Sequence, residues 1–386
     1  MVVKRSIILS LLVASLSLLF AGGVSAQRQQ FIKTSQSQAV ATDYQYTFRS
    51  LSGQLEVLTF TLDGHSLEQS RERFSSNKRR ALFEQAKKVS NSIYSELQTK
   101  YNARLKAEYS RYLQEKGKQL PDGFKLDIKK AKAGWHLSYN GHLSQRQVKR
   151  IVAAFRKDAD SQWEHLSAMN SAAYKKESRQ LIIKTLPQLY RQNFYVARQS
   201  KDNKNNLEVR IDFAQVIMDE TLAIRPLASA IAERVRGLPD REVIAYALHF
   251  LQLIPYDNLK PRNALDSTGF VAPLTLIDIN KGDCDTKSAA LAALIRNLLP
   301  DIRIAMVLVP DHAFLALDIP AKSSDSTINV NGRNYVIVEP TGPALSPVGR
   351  AHPETRPYLT VEREKIKFLL NIPSGNENNI ASVFRM

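Results

Sequence analysis

The chain of 386 residues has one cysteine, Cys284. No internal disulfide can form, so the fold must rest on a packed core rather than on covalent staples. Beyond residue 26 no apolar run approaches the ~18 residues that a membrane span requires, and no transmembrane anchor is expected. Neither an HExxH pattern nor paired cysteines occur. The histidines His65, His136, His142, His165, His249 and His352 make no ligand constellation, so no metal and no other cofactor is expected. Gly282-Asp283-Cys284 lacks the lysine and the spacing of a phosphate-cradling loop. Apolar residues at 44% with 24% charged exclude wholesale disorder, and the length allows one large domain or two ordinary ones.

Acidic residues are also scarce, and the formal net charge is +17. The imbalance is local. Residues 27–200 carry 31 Lys and Arg against 15 Asp and Glu, whereas residues 201–386 carry 21 against 22. One region suited to an anionic surface and one without that bias are implied. The basic half interleaves aromatics such as Tyr94, Tyr101, Tyr109, Tyr112, Trp135 and Trp163, but nucleic acid is not an expected partner because the chain carries an export signal. That signal is Lys4 and Arg5, an apolar run from Ile7 to Phe20, and the small-residue site Val24-Ser25-Ala26. Residues 1–26 are therefore a signal peptide, and a periplasmic or secreted location is expected.

The mature chain opens with a polar leader over residues 27–42, without periodicity and predicted flexible. Alternating Tyr44, Tyr46 and Phe48, a Ser52-Gly53 turn, then Leu55, Val57, Leu58 and Phe60 predict a β-hairpin. Helical spacing from Ser66 to Glu115 predicts one or two long helices ended by Gly117 and Pro121. Two strands follow over residues 125–129 and 134–139, and then a helix capped by Ser144. Residues 43–200 thus form a basic, mainly helical accessory region, closed by the polar loop 201–206. The second region, 207–372, opens with a strand at Leu207–Phe213. It has helices over Pro226–Arg236 and Arg241–Leu253, and a long irregular connection from Ile254 to Asn280. The helix from Cys284 and strands at Arg303–Val309, Ala313–Ile319 and Asn334–Val338 complete it. A polar tail, 373–386, ends the chain. A helix followed by an antiparallel sheet makes the expected fold class α+β.

Cys284 follows a small polar turn and opens a segment whose Ala290, Leu291, Leu294, Ile295 and Leu298 recur at helical spacing. A thiol at a helix N-terminus meets unpaired N–H groups that favour the nucleophilic thiolate. Acyl chemistry by a thiol also needs a base and a group that orients it. His312 at the start of one strand and Glu339 at the end of the next lie downstream in that order. Asp283 fits a helix N-cap, and Asp285 with Lys287 fits a solvated or loop-tethering pair.

Pro273-Leu274-Thr275-Leu276, Gly282-Asp283-Cys284-Asp285-Thr286-Lys287-Ser288, Asp311-His312-Ala313-Phe314 and Tyr335-Val336-Ile337-Val338-Glu339-Pro340-Thr341-Gly342 resemble the transglutaminase-like superfamily, the papain-related group of bacterial proteases, amidases and cross-linking enzymes. The resemblance covers about residues 226–350. It implies a papain-like core with Cys284 as nucleophile, His312 as general acid and base, and Glu339 as third member where such proteins usually have Asp. It further implies a protein or peptide substrate and an oxyanion held partly by the Cys284 N–H. Which of Gln252, Tyr256 and Asn258 adds a side-chain donor stays open. The competing expectation is a non-catalytic module of the same fold that binds envelope polymers or a protein partner.

Overall fold

The computed structural model describes residues 31–38, 40–129, 134–200, 206–259, 269–310, 312–330, 332–342, 344–360 and 368–372. The expected signal peptide, residues 1–26, and the polar tail, 373–386, lie outside the described residues. The chain is mixed helix and sheet, of the α+β class, and falls into two compact units. One unites the residues up to Arg79 with those from Asp212 on; the other is Arg80–Ile211.

The first unit begins with a three-stranded antiparallel sheet of β1 (Ile32–Ser37), β2 (Ala41–Arg49) and β3 (Leu55–Asp63), in that order. The expected flexible leader is corrected here. Its polar residues 32–37 form β1, whose backbone pairs with β2 although its side chains are mostly exposed. Along β2 the alternation buries Tyr44, Tyr46 and Phe48, and β3 answers with Leu58, Phe60 and Leu62. The Tyr44 and Phe60 rings stack at 5.4 Å. Tyr46 and Phe48 meet the ring of Phe250 edge-on at 5.1 and 5.7 Å.

The short helix α1 (Gly64–Arg73) follows, its N-terminus capped by Asp63, which accepts from the Ser66 N–H. Chain order had placed these residues with the accessory region. The aromatic face of β2 instead covers a helix about 200 positions later, and the boundary falls at Arg80 and not near residue 43.

In the second unit, two long helices, α2 (Ser76–Gly117, from Arg80 on) and α3 (Gln145–Arg191), run antiparallel. Tyr101 meets Tyr174 at 5.9 Å and Tyr109 meets Trp163 at 5.0 Å, so rising positions on one helix match falling positions on the other. Ser144 caps α3 in a reciprocal capping box with Gln147. A hairpin of β4 (Phe124–Lys129) and β5 (Gly134–Tyr139) folds Leu126, Ile128, Trp135 and Leu137 over Tyr109, Leu113, Phe155 and Ala159. A second hairpin, β6 (Tyr195–Gln199) with β7 (Leu207–Ile211), ends the unit. The strand expected at Leu207–Phe213 is thus the partner of β6, not the opening of the other unit.

From Asp212 the first unit resumes with α4 (Phe213–Ala223), α5 (Arg225–Arg234), α6 (Asp240–Leu253), α7 (Pro273–Ile279) and α8 (Cys284–Leu298). The connection expected to be irregular from Ile254 to Asn280 therefore contains α7. Five antiparallel strands follow in the order β10 (Thr327–Val330), β11 (Arg333–Val338), β9 (His312–Leu317), β8 (Ile304–Val309) and β12 (Phe368–Ile372). A four-residue helix, α9 (Arg356–Leu359), precedes β12. The ten residues from Thr286 to Ile295 are buried throughout, so α8 is the central helix of this unit and its first turn is held by packing. Among the described residues no helix is long and apolar enough to cross a membrane.

Candidate active site

The first turn of α8 is built by Asp283. Its carboxylate accepts from the Thr286 N–H at 3.2 Å and satisfies one of the donors a helix start leaves free. The Asp285 carboxylate accepts from the same N–H at 2.9 Å, so the two aspartates converge beside Cys284. That closeness, with burial, pushes the Asp285 carboxyl well above the usual range: burial is the larger cause, followed by its hydrogen bond to Asp283 and the charge there. Cys284 is half-buried and reduced. Burial first, then the charges of Asp285 and Asp283, push its thiol up to about 12, while the N–H groups of Ala313 and Asp285 pull the other way. The sulfur thus lies against the backbone of Ala313, the residue after His312. As the first residue of α8, Cys284 has an N–H without an intrahelical acceptor.

His312 opens β9 at its pairing with Val309 of β8, and Glu339 directly follows β11, the strand on the other side of β9. Antiparallel neighbours bring the two side chains together. Nε2 of His312 lies 2.8 Å from Oε2 of Glu339, whose side chain is 1% exposed. The carboxylate accepts, so Nε2 carries the hydrogen and Nδ1 is left as the basic nitrogen. The other carboxylate oxygen accepts from the His352 N–H at 3.2 Å, which leaves this buried charge doubly bonded. Longer by a methylene than aspartate, Glu339 still reaches the imidazole.

The three candidates for a supporting donor are placed differently. Gln252, at the end of α6, spends its Nε2 on two backbone carbonyls, those of Glu339 and Ser346, each at 2.8 Å. It positions the segment carrying Glu339 and has no amide hydrogen to spare for an oxyanion. The Asn258 carbonyl packs against Gly269, where an added Cβ would come within 2.6 Å of it and 3.1 Å of an Asp283 oxygen. Gly269 has φ +73°, so this close approach to the cysteine turn suits glycine on both counts. Tyr256 is 48% exposed, and its backbone bridges Gly282 in parallel. Burial first, then the charges of Cys284, Asp283, Asp285 and Asp257, raise its phenol.

Lys287 was expected in a solvated or tethering pair, and is not solvated. It is fully buried, its ammonium donates to the Ile254 carbonyl, and burial lowers it to about 7 against the opposing pull of Asp283. It ties α8 to the end of α6. Its position one turn after the cysteine, on a face otherwise made of Ala and Leu, was the available signal. Among the described residues no three His, Cys, Asp or Glu side chains gather as a metal would need. No family model, curated protein or solved structure matches the chain.

Proposed function

We propose that the protein is an exported thiol enzyme of the transglutaminase-like, papain-related kind. It cleaves peptide or isopeptide amides, or transfers their acyl group to an amine, through Cys284, His312 and Glu339. The observation that carries this reading is the 2.8 Å bond between His312, at the start of β9, and a buried Glu339, just after the neighbouring β11, in the sheet that packs against the cysteine helix.

Sγ of Cys284 attacks the amide carbon and its proton passes to Nδ1 of His312. The tetrahedral oxygen is received by the Cys284 N–H, and Glu339 stabilises the imidazolium. The imidazolium then protonates the departing amine, leaving a thioester on Cys284. Water or a second amine attacks that thioester with His312 taking its proton, and the thiol is restored. Since the resting thiol is held near 12, sulfur loses its proton as substrate arrives and not in advance. Hydrolysis is the default outcome, because water is the acceptor always at hand.

The basic unit, with 27 Lys and Arg against 12 Asp and Glu over residues 80–211, fits a role in holding the enzyme to an anionic envelope surface. Its binding to anionic vesicles is expected to fall steeply with added salt.

One observation favours a second reading, a non-catalytic module of the same fold: the acidic flanks and burial that keep the thiol protonated. Turnover of a peptide library by wild type and by Cys284→Ala separates the two. The enzyme reading expects cleaved or cross-linked products with wild type and loss of at least about a thousandfold in the variant. Equal, background-level product from both would leave only the binding module.

A further inference from the structure

Beside the turn that carries Cys284 lies a cleft of about 390 Å³, within the ~300–1,000 Å³ range of sites that take small ligands or single side chains. Its floor is apolar: Phe31, Leu253, Pro255 and the ring of Tyr256. Phe31 is fixed there by ring contacts with Tyr46 and Phe250 at 5.3 and 5.8 Å. The two charges at the rim are closed on each other, Lys281 Nζ lying 2.9 Å from an Asp257 oxygen. Hydrogen bonds from Lys281 and from the Leu259 N–H hold the Asp257 carboxyl below the usual range, so the rim offers no uncompensated charge.

The remaining wall residue is Asn280, which ends α7 in the left-handed conformation, φ 53°. Its amide makes no hydrogen bond to the described residues, and its oxygen is shut off from water without a partner. A half-turn of the amide exchanges oxygen and nitrogen, so this group can meet either the donor or the acceptor of a peptide unit. Tyr256 lines the cleft and bridges, backbone to backbone, Gly282 in the turn that carries Cys284.

We propose that this cleft is a side-chain specificity subsite of the site at Cys284. It takes an uncharged, apolar side chain of the peptide whose amide Cys284 attacks, while the Asn280 amide hydrogen-bonds to that peptide's main chain. The inference rests on the thiol-enzyme reading for its chemistry but not for its binding, which a chain without the thiol retains.

The test uses the full chain carrying Cys284→Ala and fluorescein-labelled, alanine-rich peptides that differ at one position, Leu, Phe, Glu or Lys, with anisotropy as the readout. Leu and Phe peptides are expected to bind at least about tenfold more tightly than Glu or Lys peptides. Adding Asn280→Gly, which keeps the left-handed backbone, is expected to weaken the Leu peptide about tenfold by removing one hydrogen-bonding group. No saturable binding by any of the four, equal binding by all four, or an unchanged affinity with Asn280→Gly would overturn the subsite. Discriminating binding without turnover by wild type would leave the subsite standing and remove the enzyme. Turnover without discrimination would do the reverse.

Discussion

Tyr101, Tyr109 and Trp163 in the helical unit, and Leu291, Val307 and Phe314 in the α+β unit, occupy comparable places, each in the middle of a packed seam. The helical unit is only two helices thick over most of its length, and aromatic side chains such as Tyr101 and Tyr109 are rooted in the seam between them. The hydroxyl of Tyr101 donates to Glu177 and that of Tyr112 to Asp158, beside the surface pairs Lys100–Glu177 and Lys116–Asp158. In the α+β unit Leu291, Val307 and Phe314 are fully enclosed. Among the described residues Ser178 is the one buried polar side chain of the helical unit, whereas Glu220, His249, Gln252, Asp283, Lys287 and Glu339 are all buried in the other. Charge held out of water must be matched by partners or by shifted protonation. Such buried groups are thus concentrated in the unit that carries the cysteine, and are scarce in the unit that is twice as basic as it is acidic.

Phe314→Ala is expected to give the largest effect, about 3–5 kcal/mol from cavity formation, and to lower the thermal transition of the α+β unit alone. Leu113→Ala, fully buried at the seam, should cost about 2–4 kcal/mol and move only the transition of the helical unit. Calorimetry that found a single transition moved by both would break the division into two cooperative units.

Lys287 sharpens the contrast in buried charge. Unfolded, its amine stays protonated to its ordinary 10.5, but folded it loses its proton from about 7. Between those values the unfolded chain binds more protons, so rising pH relieves the burial penalty and stabilises the fold. The stability of wild type relative to Lys287→Met should therefore rise by about 2 kcal/mol from pH 7 to 9, measured by denaturant titration. A difference independent of pH would show that this lysine titrates as if in water. Ser144→Ala, which removes one capping group from α3, should cost the helical unit about 1 kcal/mol with no change in the other transition.

The parts of this arrangement legible from residues alone are those with a clear period. Cys284–Leu298, the strand begun by His312 and the strand before Glu339 all follow from apolar repeats. β1 escaped because backbone pairing, not side-chain burial, holds its polar residues, and β10 because four residues are too few to show a period, although its Ile328 and Val330 are buried. The helix α7 escaped because seven residues are too few to show a period, although Pro273 marks its first turn. The first long helix ends at Gly117 as expected, and the helix expected from Ser144 to about residue 169, with further helical pattern beyond it, is one unbroken helix to Arg191 with Pro187 inside it. The order of Cys284, His312 and Glu339 could be read. The role of Gln252 could not, because its bonds to Glu339 and Ser346 join residues about 90 positions apart and leave no local trace.

The amide of Gln252 has a counterpart in Gly342, where any added Cβ would stand 2.1 Å from the Gln252 carbonyl oxygen. The end of α6 and the segment after β11 are therefore flush, backbone to backbone. A single methyl at residue 342 acts as a wedge driven behind Glu339, prising the carboxylate from the imidazole without altering either residue. The seat of the Glu339 side chain is set from a place that no inventory of charged groups would include.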